Sequence, residues 1–298
     1  EGIEVIAANS KEGRELGDGA FLYANDPKSL AQCADGFFNE IVIGKRMDWR
    51  DLEKSAKVAF ANHLDEDGSV SDWQLRTFQE AVEAASFRSF DKSGTLKIDR
   101  MALARAENYY GGLPVAKMRT AESIALQQYS TPLPMGVVAQ RLLVGDDAYA
   151  GRSIMEPTVG HGGLLTLVRK HASIFALELD KKRAEEIREG HGQVLIGDAL
   201  ELNYRKAFNK PDGFDYTITN PPFVAMERDR SFDKIARVKR ADHFIALKAL
   251  EARKSDGRSV LIIGADQMHS QGEVNGGSRS FMEYVYDHYE VHGAVELD

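Results

Sequence analysis

The sequence predicts an α/β protein, a parallel sheet with helices on both faces, preceded by a mostly helical region over residues 1–118. Three observations predict it. From Arg152 onward, short apolar runs recur at strand length and alternate with helical or loop segments. Such alternation implies crossover connections and hence a parallel sheet. The runs end in glycine, acidic or Asn-Pro clusters, the kind of residue found where ligands bind beyond the carboxyl ends of strands. Upstream of residue 118 the apolar spacing is helical instead.

In the first region, Asp51–His63, Ser71–Phe87 and Ile98–Tyr110 carry apolar residues at helical spacing. Two turns, Asp65–Ser69 and Asp91–Thr95, invite comparison with calcium loops. With glycine placed at the sixth loop position, the first becomes His63 or Ser89 and the twelfth Gln74 or Arg100, where a bidentate Glu is needed. Both are expected to be ordinary turns, and no metal site is expected. Tyr110-Gly111-Gly112-Leu113-Pro114 breaks the helical pattern before the second region, residues 119–298.

The second region is expected to hold strands at Ser153–Met155, Ser173–Leu177, Val194–Ile196, Tyr216–Thr219 and Ser259–Ile263, with a sixth at Glu290–Val295. The first is followed by Glu156-Pro157-Thr158-Val159-Gly160-His161-Gly162-Gly163, expected to open a helix. Its glycines permit a tight turn and let a ligand approach bare backbone. The dinucleotide fingerprint asks for a further glycine where Leu165 stands, which counts against NAD or FAD.

The second strand ends in Glu178-Leu179-Asp180. An acid there can accept hydrogen bonds from ribose hydroxyls. Glu178 is the better placed, because Asp180 can cap the helix starting near Lys181; the competing reading makes both acids caps or solvent-facing groups. The third strand ends in Gly197-Asp198, where a carboxylate could accept from an adenine amino group or serve as a plain cap.

After the fourth strand stands Asn220-Pro221-Pro222-Phe223. Two prolines fix φ and remove two N–H donors, so neighbouring carbonyls are free to accept from something other than the chain. The Asn side-chain oxygen and the Pro221 carbonyl could together grip one –NH2 group, and the ring of Phe223 offers a stacking face. An adenine amino nitrogen is a poor nucleophile because its lone pair is delocalised. Two acceptors on its hydrogens favour a pyramidal nitrogen, with positioning and electrostatics supplying most of the rate. Cytosine ring methylation would need a thiolate, and the one cysteine, Cys33, lies far upstream.

Asn220–Phe223 resembles the catalytic tetrapeptide of amino-methyltransferases. Glu156–Gly163 resembles the first cofactor motif of bacterial and phage N6-adenine DNA methyltransferases, with His161 in place of a more usual Thr or Ser. Gln128-Tyr129-Ser130-Thr131-Pro132 resembles the segment that precedes this motif in the γ-ordered subgroup and contacts the cofactor's amino-acid end. The resemblance covers residues 119–298. It implies a Rossmann-like sheet binding S-adenosylmethionine through Tyr129, Thr131, Pro132, Glu156, Pro157, Thr158, Gly160, Gly162, Glu178, Asp198 and Asn220. Asn220, Pro221, Pro222 and Phe223 would then hold a flipped adenine. The family's later aromatic motif and recognition domain would follow the strand near Val295. The chain is therefore expected to be part of something larger, such as a methyltransferase–helicase polypeptide or a restriction–modification subunit, with target recognition supplied by further domains or subunits.

A net charge of −8 counts mildly against nucleic-acid binding. Residues 227–240, however, gather Arg228, Arg230, Lys234, Arg237, Lys239 and Arg240 just after the tetrapeptide, as a solvated mixed-charge helix or as a DNA-facing segment. One cysteine excludes a disulfide framework and fits a reducing, cytoplasmic setting. No apolar run reaches membrane-spanning length, so no membrane partner is expected. Three rivals share the tetrapeptide's chemistry or fold: N2-guanine methylation of RNA, glutamine methylation of protein, and a catalytically silent scaffold.

Overall fold

The computed structural model describes residues 27–92, 98–114, 131–146, 149–188, 192–264, 269–270, 273–274 and 276–295. Tyr129 and the rest of the segment before Thr131 lie outside them, as does most of the second predicted turn. The chain divides into two compact units, Glu1–Ala121 with Pro132–Pro134, and Glu122–Thr131 with Met135–Asp298.

The described residues of the first unit form helices: α1 (Pro27–Val42), α2 (Trp49–Ala59), a 3-10 turn at Ala61–His63, α3 (Asp72–Lys92) and α4 (Arg100–Gly112). Besides the three predicted segments there is thus a fourth, α1, whose Leu30, Ala34, Phe37, Phe38 and Ile41 fall on one helical stripe. That stripe closes a core with Leu52, Phe60, Phe78 and Val82. Asp48 begins α2 with a reciprocal capping box, accepting from the Asp51 amide while Asp51 Oδ2 accepts from its own. The turn at Asp65–Ser69 is closed by Asp67, which accepts the amide and hydroxyl of Ser69 at 3.0 and 2.6 Å. Among the described residues no group of acidic, His or Cys side chains is placed to hold a metal, and no helix is long and apolar enough to cross a membrane.

After α5 (Leu133–Val144), the second unit holds the parallel sheet: β1 (Ser153–Glu156), β2 (Ser173–Glu178), β3 (Gln193–Ile196), β4 (Phe214–Thr219) and, after a hairpin, β7 (Arg253–Leu261). The spatial order is β3-β2-β1-β4-β7, all neighbours parallel. The predicted Rossmann-like α/β class is therefore the fold. Helices α6 (Lys181–Arg188) and α7 (Tyr204–Ala207) connect its strands. The chain runs outward from β1 through β2 to β3, then returns to β1's other side with β4. Between β1 and β4 lies the switch point where such sheets bind ligands. β1, β2 and β4 are almost wholly buried, as strands covered on both faces must be.

Three local expectations are corrected. Residues 227–240 are not a helix but two antiparallel strands, β5 (Ala225–Phe232) and β6 (Ala236–Arg240). Phe232, Ala236 and Val238 turn inward against α8 (Ala241–Ala252) and α9 (Gly276–His288), while the intervening charges face solvent. Past Gly163 the chain makes one 3-10 turn at Gly163–Leu165 rather than an α-helix. Glu290–Val295 is not a strand: its apolar residues are exposed, and Gly293 interrupts them. Two short strands, β8 (His269–Ser270) and β9 (Glu273–Val274), precede α9.

Candidate active site

At the end of β1 the chain enters the glycine turn. Gly160 and Gly162 take φ of +53° and +79°, a region open to glycine at little cost. Glu178, at the end of β2, holds this turn. Its Oε2 accepts the Gly160 amide at 2.8 Å and its Oε1 the Asp180 amide at 2.9 Å. Asp180 accepts the Arg183 amide at 3.0 Å, so it is the helix cap and Glu178 is not solvent-facing. Each Glu178 oxygen keeps a further lone pair for a ligand.

Glu156 is 1% exposed, and its Oε2 has no hydrogen-bond partner among the described residues. Burial, reinforced by the nearby Glu178 carboxylate, pushes its carboxyl well above the usual range. A buried acceptor left open this way is costly unless a ligand completes it. Pro157 is buried beside it, and Thr158 Oγ1 meets Thr219 Oγ1 of β4 at 3.0 Å. That contact spans the switch point, joining the glycine turn to the strand that carries the tetrapeptide.

Asp198 follows β3 and closes its own turn, Oδ1 accepting the Leu200 amide at 2.7 Å. The loop is fixed from three sides. Tyr204 donates to the Ala199 carbonyl at 2.8 Å, Lys248 of α8 donates to the Ala199 and Leu200 carbonyls at 2.6 and 2.8 Å, and Arg230 of β5 pairs with Glu201. Burial pulls the Lys248 ammonium down to about 8, against the acids near it.

Asn220 and Phe223 are half-buried and Pro221 is buried. Asn220 Nδ2 donates to Thr131 Oγ1 at 3.0 Å. Among the described residues neither Asn220 Oδ1 nor the Pro221 carbonyl accepts a hydrogen bond. The Pro222 carbonyl takes the Val224 amide at 2.9 Å, and that of Phe223 is reached by Arg240. The turn therefore presents two open oxygens, one of which Thr131 orients by occupying the other end of the amide. Pro132 lies just ahead of α5.

Gln140 of α5 carries no sequence signal of its role. It is fully buried, and its Oε1 accepts the Leu167 and Val168 amides at 2.8 and 3.2 Å while Nε2 donates to Gly136 O and Thr166 Oγ1. It thereby fixes the chain just past the glycine turn. At Gly136 a Cβ would meet the Gly163 carbonyl, so the absence of a side chain lets α5 lie directly on the turn. Of the cations in the hairpin, Arg230, Arg237 and Arg240 are paired with Glu201, Asp229 and Asp242. Arg228, Lys234 and Lys239 are exposed and carry no ion pair among the described residues.

No family model matches the chain. A protein of Pyrobaculum aerophilum named "Probable ribosomal RNA small subunit methyltransferase A" is 29% identical over 85 residues, 27% of this chain and 37% of that protein. Among solved structures, the type I restriction-modification system methyltransferase subunit from Streptococcus thermophilus aligns over 95% of this chain and 66% of its own, at 15% identity and a TM-score of 0.44. A TehB-like SAM-dependent methyltransferase from Corynebacterium glutamicum aligns over 50% of this chain and 71% of its own, at 16% identity and a TM-score of 0.34. The chain thus matches just over a third of the length of its curated relative.

Proposed function

We propose that the second unit is an S-adenosylmethionine-dependent methyltransferase acting on the N6 amino group of adenine in DNA, with the base turned out of the duplex. The observation that carries this reading is the pair of open acceptors, Asn220 Oδ1 and the Pro221 carbonyl, on a stiff turn at the switch point of the sheet.

The residues present fit that cofactor. Glu156 offers a buried acceptor in need of a cationic donor, such as the cofactor's amino group. Glu178 keeps lone pairs for ribose hydroxyls, and Asp198 keeps its second oxygen for an adenine amino group. When bound, S-adenosylmethionine supplies an electrophilic methyl group. The chain's own part is to accept both hydrogens of the target amine at Asn220 Oδ1 and Pro221 O, which localises the nitrogen lone pair. Thr131 keeps the amide of Asn220 from turning its nitrogen toward the amine. Phe223 offers its ring to the base plane. The tetrapeptide holds no titratable side chain, so the proton released on transfer passes to water.

Arg228, Lys234 and Lys239 are candidate phosphate contacts. Recognition of a particular sequence is expected from other domains or subunits. The curated relative's name gives ribosomal RNA as the second reading, since the same grip would serve an amino group in RNA. An assay offering isotopically labelled methyl donor with DNA, RNA and protein tests both. Label in N6-methyladenine of DNA is expected, label in RNA alone would favour the second reading, and label in none would overturn both.

A further inference from the structure

Arg240 and Asp242 sit outside the tetrapeptide, yet they join its end to the neighbouring strand. Arg240 is the last residue of β6 and Asp242 lies in the first turn of α8. Their contact is forked, with Arg240 Nε 3.0 Å from Asp242 Oδ1 and Nη2 3.4 Å from Oδ2. The arginine side chain is 18% exposed and the aspartate 0%. From this pair two links run outward. Arg240 Nη2 donates to the Phe223 carbonyl at 3.4 Å, and Asp242 Oδ2 accepts the Gly264 amide, just past β7, at 3.0 Å. Backbone bonds reinforce the first link, since the Ala241 amide donates to the Val224 carbonyl at 2.9 Å and Ala225 pairs with Arg240.

The charge arrangement makes Arg240 the partner of that carboxylate. His243, also fully buried, stacks on Phe281 with centroids 4.4 Å apart; its Nε2 lies 3.8 Å from Asp242 Oδ2, beyond hydrogen-bond reach, and its nitrogens make no hydrogen bond among the described residues. Burial lowers its basicity, which leaves it neutral. A buried ion pair of this kind costs desolvation on both sides and is poor evidence of stabilisation in itself. Here it has a geometric consequence. A guanidinium can bond a carboxylate with one edge and a carbonyl with another, which a lysine ammonium cannot do in the same plane. Gly264 completes the arrangement: a Cβ there would overlap Arg240 Nη2, so only glycine leaves the guanidinium room.

We propose that Arg240 and Asp242 are positioning residues that set the Phe223 end of the tetrapeptide, and with it the stacking face for the target base, against the end of β7. The role rests on the methyltransferase reading above. Arg240→Lys keeps the charge and loses the fork. Gly264→Ala pushes the guanidinium aside with the ion pair's chemistry intact, and a flexible side chain end can yield without unfolding the protein.

The test uses the full chain with both variants and combines backbone amide exchange, S-adenosylmethionine calorimetry and methyl transfer at saturating DNA. Both variants are expected to speed exchange at the Phe223 and Val224 amides while leaving exchange at 153–165 unchanged. Cofactor affinity should stay within about twofold. The maximal rate should fall by about ten- to a hundredfold, the scale of a small misplacement of reacting groups. A merely structural pair would instead weaken cofactor binding and rate together. Unchanged exchange at Phe223 and Val224 in both variants overturns the proposal, as does faster exchange with a wild-type maximal rate. If the wild-type chain methylates no nucleic acid, the functional reading fails on its own and the exchange measurement alone decides whether the pair holds the turn.

Discussion

Asn220 donates its amide nitrogen to the hydroxyl of Thr131 at 3.0 Å, across 89 positions of sequence. The hydroxyl takes the nitrogen, and the amide oxygen is left for something else. Thr131 is itself buried, so the contact is shielded from competing water. A side chain that could turn its donor toward an amine, and so repel it, is held in the accepting orientation.

Thr131→Val should therefore lower methyl transfer by about tenfold, the cost of one lost hydrogen bond that orients a reacting group, while Thr131→Ser restores it. Asn220→Ala removes the acceptor itself and should cost about a hundredfold or more, as loss of a preorganised polar group does. Calorimetry should show S-adenosylmethionine still binding to Asn220→Ala. A wild-type rate in Asn220→Ala would remove the basis of the mechanism.

Glu156 gives a pH-dependent prediction with two opposite signs. Burial first, and the Glu178 carboxylate second, raise its folded pKa well above the ordinary 4.5. The folded state thus binds that proton more tightly than the unfolded chain, and stability falls as pH rises from the ordinary value through the raised one. Glu156→Gln mimics the protonated form and escapes the loss. Without cofactor it should be more stable than wild type at neutral pH, by about 1–3 kcal/mol as for substitutions with a defined cause, and the two should converge below 4.5. The same variant should bind S-adenosylmethionine more weakly. Denaturant unfolding at both pH values, with calorimetry, reads both signs.

Gln140→Ala tests the scaffold apart from chemistry. It strips the acceptor from two buried backbone amides, Leu167 and Val168. Unsatisfied buried donors should cost about 2–4 kcal/mol in urea unfolding. A loss below about 0.5 kcal/mol would mean the turn does not depend on this side chain.

These residues also show what one sequence can disclose. β1, β2 and β4 were legible because strands buried on both faces are short runs rich in apolar, aromatic and β-branched residues, and the positions of Gly160, Glu178, Asp198 and Asn220 just at or past the strand ends could be read from where those runs stop. The β5–β6 hairpin was not, since its inward positions are few, Phe232, Ala236 and Val238 with the half-buried Met226, among charges, and a register shift between Ala225 and Arg230 breaks the alternation. Gln140 and Asp242 were invisible for another reason. Each is a polar residue in a helix, and whether it faces solvent or a backbone amide is decided by tertiary packing. Glu290–Val295 misled because two valines flank a glycine without a buried face to fill.

Phe223→Ala should weaken binding of DNA carrying an extruded adenine by about 1–3 kcal/mol, the worth of one base–aromatic stack. Binding of a duplex that contains no adenine, and so offers no target base to stack, should change little. Equal affinity of wild type and variant for the extruded-base DNA would remove Phe223 from the site.

The hairpin's exposed cations make the final prediction. Arg228, Lys234 and Lys239 have no acidic partner among the described residues, whereas Arg230, Arg237 and Arg240 are each neutralised within the unit. A cation that meets a phosphate releases counterions condensed on the nucleic acid, and one already paired with an acid must first give up that partner. Replacing all three by alanine should weaken DNA binding about equally for every sequence. The slope of log affinity against log salt should drop by about one for each cation that contacts a phosphate. Arg237→Ala, already paired with Asp229, should leave the slope almost unchanged. Titrations at several salt concentrations separate the two cases, and an unaltered slope in the triple variant would mean that the outer face of the hairpin does not meet the nucleic acid.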